Sequence, residues 1–419
     1  MLLAGWCGKQ SKPAVGSLWR SRWATVMGRS IPKDIMAAYI SCARPVVGRA
    51  ERISTRIVFF IAGFGVAAWA PLVPFAKART GLGEGALGVL LLCLGAGSIV
   101  TMPAAGALAA RFGCRAVVIV STVLLCVSLP PLAFISNPVL LAVALLVFGA
   151  ALGSVDVTMN IQAVIVERAG GEALMSGFHG LYSFGGIAGA ICMTGLLGAG
   201  ASPVTASLFM VAGIVVALVL AAPRLLRYGS QGDSPGWALP HGVVLFIGVL
   251  CFVAFLSEGA VLDWSAVFLT SVRSLAPAYA GLGYAAFSLA MTVCRLTGDR
   301  IVQRFGGIRV IVFGGLCAAV GFAVATVAPF WPAALAGYAS IGVGCANIVP
   351  VLYSSVGRQT AVPEHVAISA ITTLGYAGIL AGPAAIGFVA QASSLSAALL
   401  AVALLQLGVA ASARFLPSG

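Results

Sequence analysis

The sequence predicts an all-α membrane protein with twelve transmembrane helices in two pseudo-symmetric six-helix bundles. Three observations predict it. Of 419 residues, 60% are apolar and 8% charged, whereas a soluble domain of average composition carries about 25% charged residues. Apolar runs long enough to cross a hydrocarbon core of about 30 Å recur with short breaks. A basic turn that follows the second run returns after the eighth. No water-soluble fold of this size hides so much apolar surface, which excludes a cytosolic enzyme, a secreted domain and a disordered chain.

The spans read 54–76, 85–110, 116–136, 138–166, 172–199 and 203–222, then 242–270, 277–302, 308–328, 330–356, 364–390 and 395–415. Pro130-Pro131 interrupts the third. Residues 1–53 fit no span and are expected to form a disordered basic extension. They superficially resemble a transit peptide, and Met27 and Met36 stand as alternative starts. A first bundle then covers 54–222 and a second 242–419. Between them, 223–241 holds Arg224, Arg227, Gln231 and Asp233, the composition of a cytoplasmic linker.

Net charge is +13, from 24 Lys/Arg and 11 Asp/Glu. Residues 1–56 supply ten basic and two acidic residues, a surplus of +8. The excess therefore reads as topology control rather than as a nucleic-acid surface, which needs a basic face on a soluble fold. With the breaks assigned alternately, 20 of the 24 Lys/Arg fall on the side of both termini. Lys77, Arg79 and Arg273 fall on the other side, and Arg295 lies within a span. That bias places both termini in the cytoplasm. Ten cysteines are scattered singly, with no CxxC pair and no Cys/His cluster at metal spacing. Neither metal nor cofactor is expected.

Arg111-Phe112-Gly113 recurs 193 residues later as Arg304-Phe305-Gly306, each followed by a basic residue, Arg115 and Arg309. Duplicated halves are a transporter pattern. On these residues the sequence resembles the major facilitator superfamily over about 50–415. Gly106-Ala-Leu-Ala-Ala-Arg111-Phe-Gly113-Cys-Arg115 is similar to its Gly-x-Leu-x-Asp-Arg-x-Gly-x-Arg turn, with Ala110 at the acidic position. The resemblance implies a cytoplasmic gate built from Arg111, Gly113, Arg115, Arg295, Asp299 and Arg304. Asp156-Val-Thr-Met-Asn160, Phe178-His179-Gly180-Leu-Tyr182-Ser183, Glu258-Gly259, Asp263-Trp264 and Thr373-Leu-Gly375-Tyr376 are similar to an uncharacterised bacterial inner-membrane subgroup. The acid-x-x-x-Asn pattern is more distantly similar to proton-coupled fucose permeases, which carry another carboxylate in span one where this chain has none. Span five has Gly185-Gly186 in place of the Gly-Pro pair of drug antiporters, which argues against efflux.

Ionisable groups inside spans are costly and usually face a cavity or a partner. At 1.5 Å per residue, Glu258 sits about 3 Å from the midplane and Asp156 about 6 Å to the cytoplasmic side. With His179 they are the candidate proton-coupling groups. His179, Tyr182, Ser183 and Gly186 share one helix face, which fits a cavity wall or a hydrogen-bonded seam. Trp69, Asn160, Tyr182, Ser183, Asp263, Trp264, Asn347, Thr373 and Tyr376 complete the candidate substrate cavity. Arg295 and Asp299 are spaced for an intrahelical ion pair. Gly149/Gly153, Gly185/Gly189 and Gly378/Gly382 permit close helix approach.

No phosphate-cradling Gly-Lys-Ser/Thr loop, HExxH or GxSxG occurs, so neither direct ATP drive nor a membrane enzyme is expected. The reading is a secondary transporter of a small polar solute by alternating access with proton symport, monomeric in a bacterial inner membrane. Proton-antiport export, passive facilitation and a transporter-fold receptor or scaffold are the alternatives. A C-terminal alkaline phosphatase fusion is expected to be inactive; periplasmic activity would overturn the predicted topology.

Overall fold

The computed structural model describes residues 48–82, 84–229, 241–275, 281–359 and 362–416. The residues of the expected extension before 48 and of the linker at 230–240 lie outside the described residues. Fifteen α-helices follow in chain order: α1 Arg49–Ala67, α2 Val73–Thr80, α3 Glu84–Phe112, α4 Cys114–Ser128, α5 Pro131–Phe134, α6 Pro138–Gly170, α7 Met175–Gly198 and α8 Pro203–Ala221; then α9 Gly242–Ser271, α10 Leu282–Phe305, α11 Gly307–Val327, α12 Trp331–Cys345, α13 Ile348–Val356, α14 Glu364–Ala392 and α15 Leu395–Ser412. No strand occurs among the described residues.

Proline accounts for the extra pieces. Pro71 and Pro74 end α1 in a 3-10 turn at Ala70–Leu72, and Pro130-Pro131 separates α4 from α5. Pro350 has no N–H to offer the carbonyl of Ala346, and the tenth span breaks there into α12 and α13. The first helix starts at Arg49, earlier than the expected 54, because Glu51 Oε2 accepts the Gly48 N–H at 2.8 Å and closes its first turn. Eleven described segments are long and apolar enough to cross a bilayer. The 24-residue α10 is the twelfth membrane-length helix, and Arg295, Asp299, Arg300 and Arg304 make it more polar than the rest.

Helix pairing repeats between the halves. In the first, α1 packs on α7 and α3 on α6; in the second, α9 packs on α14 and α10 on α12. These are the corresponding spans: one with five and two with four, then seven with eleven and eight with ten. Glycines permit the approach. Gly149 and Gly153 face Leu94 and Ser98 backbone atoms, Gly185 and Gly189 face Phe60 and Phe64, and Gly378 faces Phe252. The repeated basic turn also repeats in backbone form. Gly113 has φ 83° and ψ 155°, Gly306 φ 82° and ψ 150°, a region that favours glycine.

Each half has its own apolar core. One gathers Leu72, Leu125, Leu129, Leu132, Leu145 and Phe148. The other gathers Val261, Phe268, Phe287, Phe322, Tyr338 and Ile341. Gly149→Ala drives a methyl into the Leu94 carbonyl, whereas Gly195→Ala points into open space. The first is expected to lower the detergent melting midpoint, by an overpacking cost of about 1–3 kcal/mol, and the second to leave it unchanged. Equal melting of the two would refute this packing.

Candidate functional site

Arg295 on α10 is 5% exposed and is held by three other helices or their ends. Its Nε donates to the Ala346 carbonyl at 3.0 Å, the acceptor that Pro350 leaves without a helical donor. Its Nη2 donates to Glu258 Oε1 on α9 at 2.8 Å, an ion pair within the second half. Its Nη1 donates to Ser183 Oγ on α7 at 3.0 Å, a bond between the halves. Tyr182, beside Ser183, lies within electrostatic range of Arg295, Glu258 and Asp156. Tyr376 on α14 lies beside Tyr182, and Tyr284 on α10 lies beside Ser288 and within range of Glu258.

Asp156 on α6 is 8% exposed and forms no ion pair among the described residues. One turn on, Asn160 Nδ2 donates to the Asp156 carbonyl at 2.8 Å, which holds the amide against its own helix. Tyr182, Tyr353 and Tyr376 surround the carboxylate electrostatically. His179 stands with its ring centroid 5.3 Å from Phe59 and 5.7 Å from Tyr353. Buried His179 Nε2 and Asn160 Oδ1 make no hydrogen bond among the described residues. Tyr353 itself bonds Thr372 Oγ1 at 2.6 Å.

At the end of the bundle that carries the 167–174 and 357–363 connections, the halves close on one another. Asp299 Oδ1 accepts the Gly177 N–H at 2.9 Å. Glu167 Oε2 accepts those of Leu174 and Met175 at 2.7 and 2.9 Å. The α7 N-terminus thus has two carboxylates on its free N–H groups, where the helix dipole favours them. Arg168 bonds the Gly357 carbonyl and pairs with Glu364 at 2.5 Å, and Gln303 donates to the Ala173 carbonyl at 3.2 Å. Gly180 meets Leu296, and Gly106 meets His365 and Ser369.

No protein-family model matches the chain. It is 54% identical over 368 residues to an uncharacterized MFS-type transporter of Yersinia pestis, covering 88% of this chain and 96% of that protein. The chain belongs to the major facilitator superfamily. It is also 34% identical over 345 residues to the membrane protein MosC of Rhizobium meliloti, covering 82% of this chain and 84% of that one. Among solved structures it is similar to the superfamily transporter FucP in its outward conformation, at a TM-score of 0.71 and 16% identity, over 88% of this chain and all (100%) of that one. The proton:xylose symporter XylE matches at a TM-score of 0.65 and 13% identity, over 88% of this chain and 95% of that one. The protein is a multi-pass membrane transporter and not an enzyme.

As a member of this superfamily, the chain departs from several sequence expectations. Arg295 pairs with Glu258 on another helix, not with Asp299 one turn along, because Asp299 is drawn to the α7 N-terminus. Arg111 and Arg304 do not join the halves: each stacks on the next Phe of its own helix, at 5.1 and 5.5 Å. Gly113 packs on the Arg227 carbonyl, and the Arg115 N–H donates to the Leu226 carbonyl at 2.7 Å, contacts made with the start of the linker. Trp69 is a core residue among Leu72, Leu125 and Leu129 rather than a cavity wall.

Trp264 packs against the second core and Gly387, and Asp263 is exposed. Asn347 donates to the Cys294 carbonyl at 3.4 Å, and Thr373 to the Ser369 carbonyl at 2.7 Å. Asn160, Tyr182, Ser183 and Tyr376 do assemble with Asp156, Glu258, His179 and Arg295. Sequence reasoning missed Tyr353, Tyr284, Arg168, Glu364 and Gln303. Only Arg168 and Glu364 carried a signal, as charges at opposite ends of two connections on the same side. A side chain at Gly177 would strike the Asp299 carboxylate. Gly177→Val is therefore expected to open this end, lengthening the spin-label distance between Ala169 and Arg304. An unchanged distance distribution would refute the gate.

Proposed function

We propose that the protein accumulates a small polar solute by proton symport through alternating access, with its site between the halves at Asp156, Glu258 and Arg295. The observation that carries this reading is Asp156: a buried carboxylate without a counter-ion among the described residues, next to the ion pair whose cation bonds both halves. An anion at membrane depth is costly, and taking up a proton removes the cost. Reaching water again lets the proton go. Tyr182, which senses Asp156, Glu258 and Arg295 together, links the proton site to the half-to-half bond.

With both termini cytoplasmic, as the charge bias argues, the closed end is the cytoplasmic one. The site then faces outward, in a bacterial inner membrane. Likeness to FucP in its outward conformation and to a proton:xylose symporter supports that reading. His179, wedged between Phe59 and Tyr353, positions the aromatic wall beside Asp156 rather than carrying the transported proton.

Asn at 156 keeps size and hydrogen bonding but does not titrate. In proteoliposomes, Asp156→Asn is expected to abolish accumulation driven by a pH gradient while solute counterflow survives. Full pH-driven accumulation by that variant would move the coupling role to Glu258.

A further inference from the structure

A guanidinium has five N–H donors. Arg295 uses Nε for Ala346, one N–H of Nη1 for Ser183 and one of Nη2 for Glu258. Among the described residues, one N–H on each terminal nitrogen is left without an acceptor. Glu258 touches the guanidinium through Oε1 alone, so the two-pronged pairing that arginine makes with a planar carboxylate is unused. The groups facing Glu258 are Arg295 and Tyr284 from α10, Tyr182 from α7 and Cys345 from α12. From α14, Tyr376 meets Phe255 on the same helix as Glu258. Arg295 is the only cation among these groups.

Resting on the symport reading, we propose that the solute is a small organic monoanion whose carboxylate docks on the two remaining N–H groups of Arg295. Charge decides between the classes. Fully ionised, Asp156, Glu258 and Arg295 sum to one negative charge. A monoanion that arrives with one proton on either acid leaves that sum unchanged. A dianion such as phosphate adds a second negative charge that no cation here matches, and a buried unmatched charge is strongly destabilising. A cation meets the guanidinium, and a neutral solute leaves its free edge without the charged acceptor that edge fits. The coupled proton is then a requirement of charge balance: proton and anion cross together, and the cycle moves no net charge.

Two measurements on the full chain test this. Glu258→Gln removes the counter-ion of Arg295 and is expected to lower the melting midpoint. Acetate should restore at least half of that loss, while acetamide, and sodium chloride at matched ionic strength, restore none. Arg295→Gln should show no acetate response. In parallel, wild-type proteoliposomes are offered radiolabelled small monocarboxylates and their amides, which keeps the test open if Glu258→Gln does not fold. At least one carboxylate should accumulate with a pH gradient, be indifferent to a potassium-diffusion potential, and fall at least tenfold in Arg295→Gln. Failure of acetate to restore a folded Glu258→Gln protein, or wild-type uptake confined to neutral members, overturns the assignment. A neutral solute accumulated by the pH gradient overturns the carboxylate and leaves symport standing. A carboxylate that exchanges but never follows the pH gradient overturns symport and leaves the docking site standing.

Discussion

A guanidinium held at membrane depth sets the terms for the rest of this structure. Arg295 brings a guanidinium charge to a position that is only 5% exposed. Its acceptors come from the protein, and three segments converge to supply them. The contribution of Pro350 is the least obvious. By withholding an N–H it interrupts the tenth span, and the carbonyl set free becomes the acceptor of Nε. Two of the three bonds, to Ala346 and Glu258, stay inside the second half. The third, to Ser183, crosses to the first half. The Glu258 ion pair therefore lies wholly within one half, and only the hydroxyl contact of Arg295 spans both.

Much of this fold was legible in the chain because the bilayer makes length and apolarity decisive. Every expected span has its helix, and the prolines that cut spans one, three and ten are visible in the sequence. The Arg-Phe-Gly repeat announced the duplication, and the matching dihedrals of Gly113 and Gly306 show that it is one backbone device used twice. Partners were less legible. Spacing along one helix suggested Arg295 with Asp299, but that rule ranks only neighbours on the same helix. A carboxylate on α9 and a line of free N–H groups on α7 outbid it from across the interface. Trp69 failed for a similar reason: aromatic identity says nothing about whether a side chain faces a cavity or a core.

The turn that begins at Ala110 is covered from one side. The chain after α8 folds back on the turn between α3 and α4, where Cys114 and Arg115 N–H groups donate to the Tyr228 and Leu226 carbonyls at 3.3 and 2.7 Å. Gly229 lies so close that a side chain there would meet Ala109 and Ala110 backbone. Gln162 reinforces the same corner by accepting the Leu226 N–H at 3.2 Å and donating to Thr55 at 2.9 Å. At the corresponding Gly306 nothing among the described residues gives such cover, so in these residues the two halves are alike in construction and different in attachment.

The closed end also mixes two kinds of electrostatics. The Arg168–Glu364 pair is partly open to solvent, its side chains 54% and 13% exposed, so dissolved ions screen it. Asp299 instead holds a backbone N–H of the α7 N-terminus, tucked against a glycine with no room for an intervening ion. Rising ionic strength weakens the first and hardly reaches the second. The closure of the halves at this end is therefore expected to soften with ionic strength only down to the hold that the Asp299 contact keeps by itself.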